Sequence, residues 1–178
     1  MSEHRVTSRY AKSLITLAQE QGLLEEVHED MQLFSRICNE NRDFTLMLKN
    51  PIIHNYMKLH ILKEVFQGKV RAITTSFFNI ITRKNREMLL PEITNEFHLQ
   101  YNVINEISMA KVATVFPLDD SLRDEFKHLI RQFTGQRAVE LEEEINEELI
   151  GGYVLKLDGK QIDESLRGKL NELKLKFS

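Results

Sequence analysis

The chain has 178 residues, 42% of them hydrophobic and 29% charged, with a formal net charge of −3 at neutral pH. That length suits one large domain or two small ones, and the weak negative charge argues against a nucleic-acid partner, which needs a basic surface. The single cysteine, Cys38, excludes an internal disulfide and an all-cysteine zinc site.

No apolar run approaches the roughly 18 residues of a membrane span. Met1-Ser2-Glu3-His4-Arg5 lacks the apolar core of a signal peptide, so the expectation is a soluble, cytoplasmic chain, with attachment to a membrane complex through a partner left open.

Residues 2–21 read as a helix with Val6, Tyr10, Leu14 and Leu17 on one face and Ala11, Ile15 and Ala18 about a quarter turn round. Its apolar surface is wider than the ~100° stripe of a helix that packs on one side only. Gly22 breaks it, and Leu24, Val27, Met31, Phe34 and Cys38 mark a second helix at three-and-four spacing. A short third piece over 44–48 stops at Asn50-Pro51. Leu59, Leu62 and Phe66 mark a fourth helix, ended at Gly68. The fifth carries Val70, Ile73, Phe77, Phe78, Ile80 and Ile81, again a broad apolar surface. Pro91 suits the first turn of a sixth, lined by Ile93, Phe97, Tyr101 and Ile104.

The pattern changes near Ile107. Residues 109–116 are rich in β-branched and apolar side chains and read as a strand buried on both faces, ended by Pro117. Asp119 or Asp120 caps a helix with Leu122, Phe126, Leu129, Ile130 and Phe133, closed by Gly135. Val139, Leu141 and Ile145 alternate with Glu140, Glu142 and Glu144, the pattern of a half-exposed strand. Tyr153, Leu155 and Leu157 form the next strand, and Asp158-Gly159 suits a two-residue hairpin. Asp163 then caps a last helix that turns Leu166, Leu170 and Leu173 inward. The expected fold is α+β, mainly α: a six-helix bundle over 1–106, then a small α/β domain over 107–178. Missing βαβ repeats exclude a doubly wound nucleotide fold.

Chemistry-bearing residues are scattered. Gly151-Gly152 would be the centre of a small nucleotide- or metal-binding enzyme, the alternative reading. It lacks the Gly-x-Gly-x-x-Gly or Gly-Lys-Ser/Thr pattern of a phosphate loop. A bulge, or close approach of another backbone, accounts for the pair better. Glu140, Glu142, Glu143, Glu144, Glu147 and Glu148 lack the alternating ligands and turning glycine of a calcium loop, and read as a solvated face. His54 and His60 are six apart, which suits no helical zinc pair, and His4, His28, His98 and His128 form no constellation with Cys38. Lys58, Lys63, Lys69, Arg71, Arg83, Lys84 and Arg86 make a basic stretch without the interleaved aromatics of a nucleic-acid platform; a solvated helix face is the default, and an acidic or amphipathic partner the next reading. No cofactor, metal or catalytic set is expected. The broad surfaces of the first and fifth helices are either internal packing or an open groove for another subunit's amphipathic helix.

Several segments together resemble the delta-subunit family of bacterial F-type ATP synthases, related to the mitochondrial oligomycin-sensitivity-conferral protein. Arg9-Tyr10-Ala11-Lys12 is similar to the family's Arg-Tyr-Ala signature; Asn50-Pro51-Ile52 followed by Lys58, Leu62 and Phe66 resembles its Asn-Pro turn and fourth helix. Asn85-Arg86 and Leu90-Pro91-Glu92-Ile93 resemble the junction before its sixth helix. The strongest run is Leu149-Ile150-Gly151-Gly152-Tyr153, Asp158-Gly159, and Ile162-Asp163 through Ser165-Leu166-Arg167-Gly168-Lys169-Leu170. Ser13, where alanine is common, and Glu164, where glycine is common, depart from the pattern.

The resemblance implies a non-catalytic peripheral-stalk subunit at the cytoplasmic face of the bacterial membrane. Its helical domain would bind N-terminal helices of the alpha subunits, and its C-terminal domain the far end of the b subunit. Carried over, Tyr10, Ala11, Leu14, Phe78 and Ile81 become candidates for the alpha groove, and Gly151, Gly152, Asp163 and Arg167 fall in the C-terminal signature.

Overall fold

Three-and-four apolar spacing produces α1 (Glu3–Glu20), α2 (Leu24–Glu40), α3 (Arg42–Lys49), α4 (Asn55–Phe66), α5 (Ala72–Arg83) and α6 (Leu90–Ile104). The structure is a computed structural model that describes residues 3–157 and 160–176. It divides into two compact units, Met1–Tyr101 and Asn102–Ser178. The Asp158-Gly159 turn expected from the sequence lies outside the described residues.

The first unit closes around aromatic rings. Phe34 of α2 lies 6.1 Å from Phe44 of α3, 5.5 Å from Phe66 of α4 and 5.2 Å from Phe78 of α5, ring centre to ring centre. Each such pair adds roughly 0.5–1.5 kcal/mol to the burial of its rings. Polar groups inside this bundle serve helix ends. The buried carboxylate of Asp30 on α2 accepts from the Arg71 backbone N–H (2.8 Å), the Arg71 guanidinium (2.9 Å) and the Thr74 hydroxyl (2.6 Å). It places a negative charge at the start of α5, where the helix dipole favours one.

The basic stretch is therefore not one solvated face. Lys58 on α4 is only 2% exposed; its Nζ donates to Glu87 Oε1 (2.8 Å) and to the Leu48 carbonyl at the end of α3 (2.9 Å). A buried cation persists because that carboxylate and carbonyl replace its water.

His28 of α2 stacks on Tyr101 of α6 at 3.7 Å and meets His98 edge-on at 5.0 Å. Burial, then the neighbouring His98, pushes the His28 pKa down to about 4 against the opposing charge of Glu29. Burial also lowers His98, opposed by its hydrogen bond to the Met31 backbone.

The second unit contains β1 (Ile107–Thr114), α7 (Asp120–Thr134), β2 (Ala138–Ile145), β3 (Tyr153–Leu157), β4 (Lys160–Asp163) and α8 (Leu166–Lys176). The sheet order is β2-β1-β3-β4, with β1 and β2 parallel and the other neighbours antiparallel. Asp119 caps α7 by accepting from the Leu122 N–H, and Gly135 ends it in the left-handed region at φ 69°. The core joins Ala110, Val112 and Leu155 of the sheet with Ile130 of α7 and Leu118 before it.

Two expectations fail here. β1 is not buried on both faces: Ser108, Ala110, Val112 and Thr114 are buried, whereas the residues between them are half-buried or exposed. Nor do Leu166, Leu170 and Leu173 point inward; they are 50%, 57% and 49% exposed. One helix, α7, covers one face of the sheet, and α8 packs by its start rather than along its leucine stripe.

Two measurements test this packing. Lys58→Met strands the Glu87 carboxylate in the core and is expected to cost about 3 kcal/mol in urea unfolding. His28 is held neutral in the fold while its unfolded form protonates near 6.5, so its contribution is present above that value and is lost as pH falls from 6.5 toward about 4. His28→Gln is therefore expected to flatten the pH dependence of the urea midpoint between pH about 6.5 and 5.

Candidate protein-binding surfaces

The α1/α5 groove is an opening of the helical unit that apolar periodicity foreshadows. It encloses about 490 Å³ and is lined on α1 by Tyr10, Leu14 and Leu17 and on α5 by Ile73, Phe77 and Ile80. Leu17 and Ile80 are 43% and 51% exposed, although both belong to apolar stripes. Each helix thus divides its wide apolar surface between the core and this groove.

The candidate residues divide in the same way. Tyr10 and Leu14 line the groove. Ala11 and Ile81 are completely buried and Phe78 nearly so. Phe78 turns toward α4, where with Leu59, Leu62 and Phe66 it borders a smaller cavity of about 260 Å³. It is committed to the aromatic junction with Phe34 and Phe66. Leu17, Ile73, Phe77 and Ile80 are the large apolar groove residues missing from the sequence-derived candidates. Leu17 was visible as the next member of the Tyr10 stripe, but spacing does not say which side of a doubly apolar helix remains open.

Tyr10 also receives Arg86. The guanidinium Nη1 donates to the Tyr10 hydroxyl at 2.7 Å and its carbon lies 5.6 Å from the ring centre. The turn carrying Arg86 is held by backbone bonds to Ile81 and Leu89 and by Asn55 donating to Asn85 Oδ1 at 3.0 Å.

The C-terminal signature residues converge on one corner of the second unit. Gly152 takes φ 75°, and a Cβ on it would strike the Glu164 carbonyl oxygen. The close approach is sealed by the Glu164 N–H donating to the Tyr153 carbonyl and the Leu166 N–H to the Gly151 carbonyl, each at 2.9 Å. A Cβ on Gly151 would meet Leu166 Cδ1 at 2.8 Å. The space beside both glycines is thus taken by the chain itself, and the phosphate-loop alternative finds no cradle there.

Asp163 does not cap α8 directly. Its Oδ1 accepts from the Ser165 N–H (2.9 Å) and hydroxyl (2.6 Å), and Ser165 Oγ in turn accepts from the Gly168 N–H at 3.0 Å. Ser165 is the capping residue and Asp163 orients it; these hydrogen bonds hold the Asp163 carboxyl below its usual range. Arg167 projects outward to Glu148 at 2.6 Å. The four residues act first on the fold of this corner.

Beyond it, Leu166, Leu170 and Leu173 form an exposed stripe flanked by Arg167, Lys169 and Lys174. On the open sheet face, Lys111 bridges Glu142 and Glu144 at 3.2 Å each, so that part of the acidic run is internally paired. Among the described residues no group of three or more His, Cys, Asp or Glu could hold a metal ion, and no helix is long and apolar enough to cross a membrane.

Gly152→Ala combines a positive-φ penalty with a backbone collision and is expected to destabilise the second unit by about 3 kcal/mol, read as lost amide protection around β3 and α8.

Comparison with known proteins places these surfaces in context. The family described as ATP synthase delta (OSCP) subunit matches residues 6–177. ATP synthase subunit delta of Cytophaga hutchinsonii is 41% identical over all of this chain and 97% of its own length. That of Amoebophilus asiaticus is 36% identical over 99% of this chain and 96% of its own. A chain of the Toxoplasma gondii mitochondrial ATP synthase hexamer shares the fold, with a TM-score of 0.75 over 96% of both chains at 17% identity. The chain belongs to the ATP synthase delta (OSCP) subunit family.

Proposed function

We infer that this chain is a peripheral-stalk subunit of the F-type ATP synthase, linking the catalytic head to the membrane sector and resisting rotor torque during ATP synthesis. The observation that carries this reading is the family match over residues 6–177, with a delta subunit 41% identical along the whole chain. The subunit is non-catalytic and works by contact, peripheral to the cytoplasmic face of the bacterial membrane.

The helical unit, within residues 1–106, takes N-terminal helices of the alpha subunits. Its α1/α5 groove supports this: two helices offer a preformed apolar trough of the kind that receives an amphipathic helix. Tyr10 and Leu14 line that trough, while Ala11, Phe78 and Ile81 are buried in the core of the unit. The second unit, within residues 107–178, meets the far end of the b subunit. The exposed leucine stripe of α8 supports that contact, and Gly151, Gly152, Asp163 and Arg167 fix the helix that carries it.

Calorimetry of the full chain with a peptide from the alpha N-terminus tests the first contact. Saturable binding is expected. Leu17→Asp with Ile80→Asp, at positions already exposed, should weaken it at least about tenfold, because each carboxylate would be desolvated against an apolar helix. Unchanged affinity in that folded double variant would remove the groove from the contact.

A further inference from the structure

The groove is electrostatically one-sided. Tyr10 lies beside Arg86, just beyond the C-terminal end of α5, yet the same groove includes Gln21, just past the end of α1, and Ala72 at the start of α5. The two helices must therefore run antiparallel along it. From Tyr10 to Gln21 is about 16 Å along the α1 axis, the length of three helical turns. The Tyr10 end carries Arg86, with Arg83 and Lys84 in the last turn and cap of α5, all exposed. The far end carries neutral Gln21 and Ala72, with Glu20 exposed beside Gln21 and the Arg71 charge next to Ala72 offset by Asp30 and Glu29.

These cations differ from others of the helical unit. Lys49, Lys58 and Arg71 each hold a carboxylate: Glu92, Glu87 and Asp30. Among the described residues Arg83, Lys84 and Arg86 have no such ion pair. Arg86 is nevertheless held in place, by the Tyr10 hydroxyl on one side and a backbone bond from its own N–H to Ile81 on the other. A guanidinium fixed at the mouth of an apolar groove, with free N–H groups, is set to receive a carboxylate in a charge-assisted pair.

We propose that Arg86, supported by Arg83 and Lys84, selects and orients the groove's occupant: a three-turn amphipathic helix whose acidic turn lies over the Tyr10 end. The inference rests on the groove being a helix-docking site, and adds which chemistry and which direction it accepts. Charge complementarity at the rim contributes modest affinity but strong preference between orientations.

The full chain is titrated with three synthetic helices that share one leucine stripe and differ at one end, carrying two Glu, two Gln or two Lys. The Glu helix is expected to bind about fivefold tighter than the Gln helix at low salt, with the margin shrinking at high salt. Arg86→Gln should erase that preference, and Arg86→Glu should invert it in favour of the Lys helix, a gain that misfolding cannot imitate. A spin label at the Glu end should broaden amide signals of Tyr10 and of 83–86 more strongly than those of Gln21 and Ala72. Equal binding of all three helices, or stronger broadening at Gln21 and Ala72, overturns the acid-selective end while leaving the groove. Failure of all three to bind overturns both.

Discussion

The helical unit depends on one meeting point, where Phe34, Phe44, Phe66 and Phe78 bring α2, α3, α4 and α5 within ring contact. Large rings packed edge to face and tilted leave little freedom of rotation about each helix axis. Fixing Phe78 inward fixes the rotation of α5. Ile73, Phe77 and Ile80 then have to face α1 and the groove, and Arg83 has to follow them on the outside. The Asp30 carboxylate adds an axial constraint, because it grips Arg71 and Thr74 in the first turn of the same helix. The groove is thus a by-product of the core, built without residues dedicated to it.

The second unit solves a harder problem with less material. A four-stranded sheet covered by one helix has one dry face, and its core is correspondingly small. Its last element is attached by backbone proximity more than by side-chain burial. Gly152 lets the β4–α8 connection lie directly on the start of β3, and Ser165 satisfies the first turn of α8 under the direction of Asp163. A helix anchored by its first turn leaves its leucines to solvent. Leu166, Leu170 and Leu173 on one side, with lysines and an arginine alongside, make a surface suited to another helix.

Much of this was legible in the sequence because periodicity and punctuation agree. Pro91, Gly135 and the alternating Val139–Ile145 run mark element type without tertiary information, and the elements appear where they point. Direction was harder. Period 2 over 109–116 is faint because Ala110 and Ala113 are small enough for either face, so only the position of α7 decides which side is dry. The leucines of α8 have a flawless inward spacing, but spacing states that a stripe exists and not what covers it. Lys58 was hidden among solvated lysines since its partner, Glu87, is twenty-nine positions away. For the same reason spacing did not separate Tyr10 and Leu14, which line the groove, from Ala11, Phe78 and Ile81, which are buried in the core.

The deployment of polar groups also bears on how the protein works. Asp30, Lys58 and Glu87 are enclosed and tie helix ends together, although the second carboxylate oxygen of Glu87 has no hydrogen-bond partner. His28 and His98 meet edge-on between α2 and α6, and burial drives both pKa values down. Asp163 and Ser165, the nearest thing to a nucleophile and its partner, are bound to each other and to the first turn of α8. The α1/α5 groove is lined with Leu17, Phe77 and Ile80, and Leu166 and Leu170 stand exposed on α8, whereas the cavity beside Asp163, Ser165 and Arg167 is polar, with Lys111 and Lys156 on its wall. Apolar troughs and stripes gain affinity by excluding water, and the rim charges of the groove set which helix enters and in which direction.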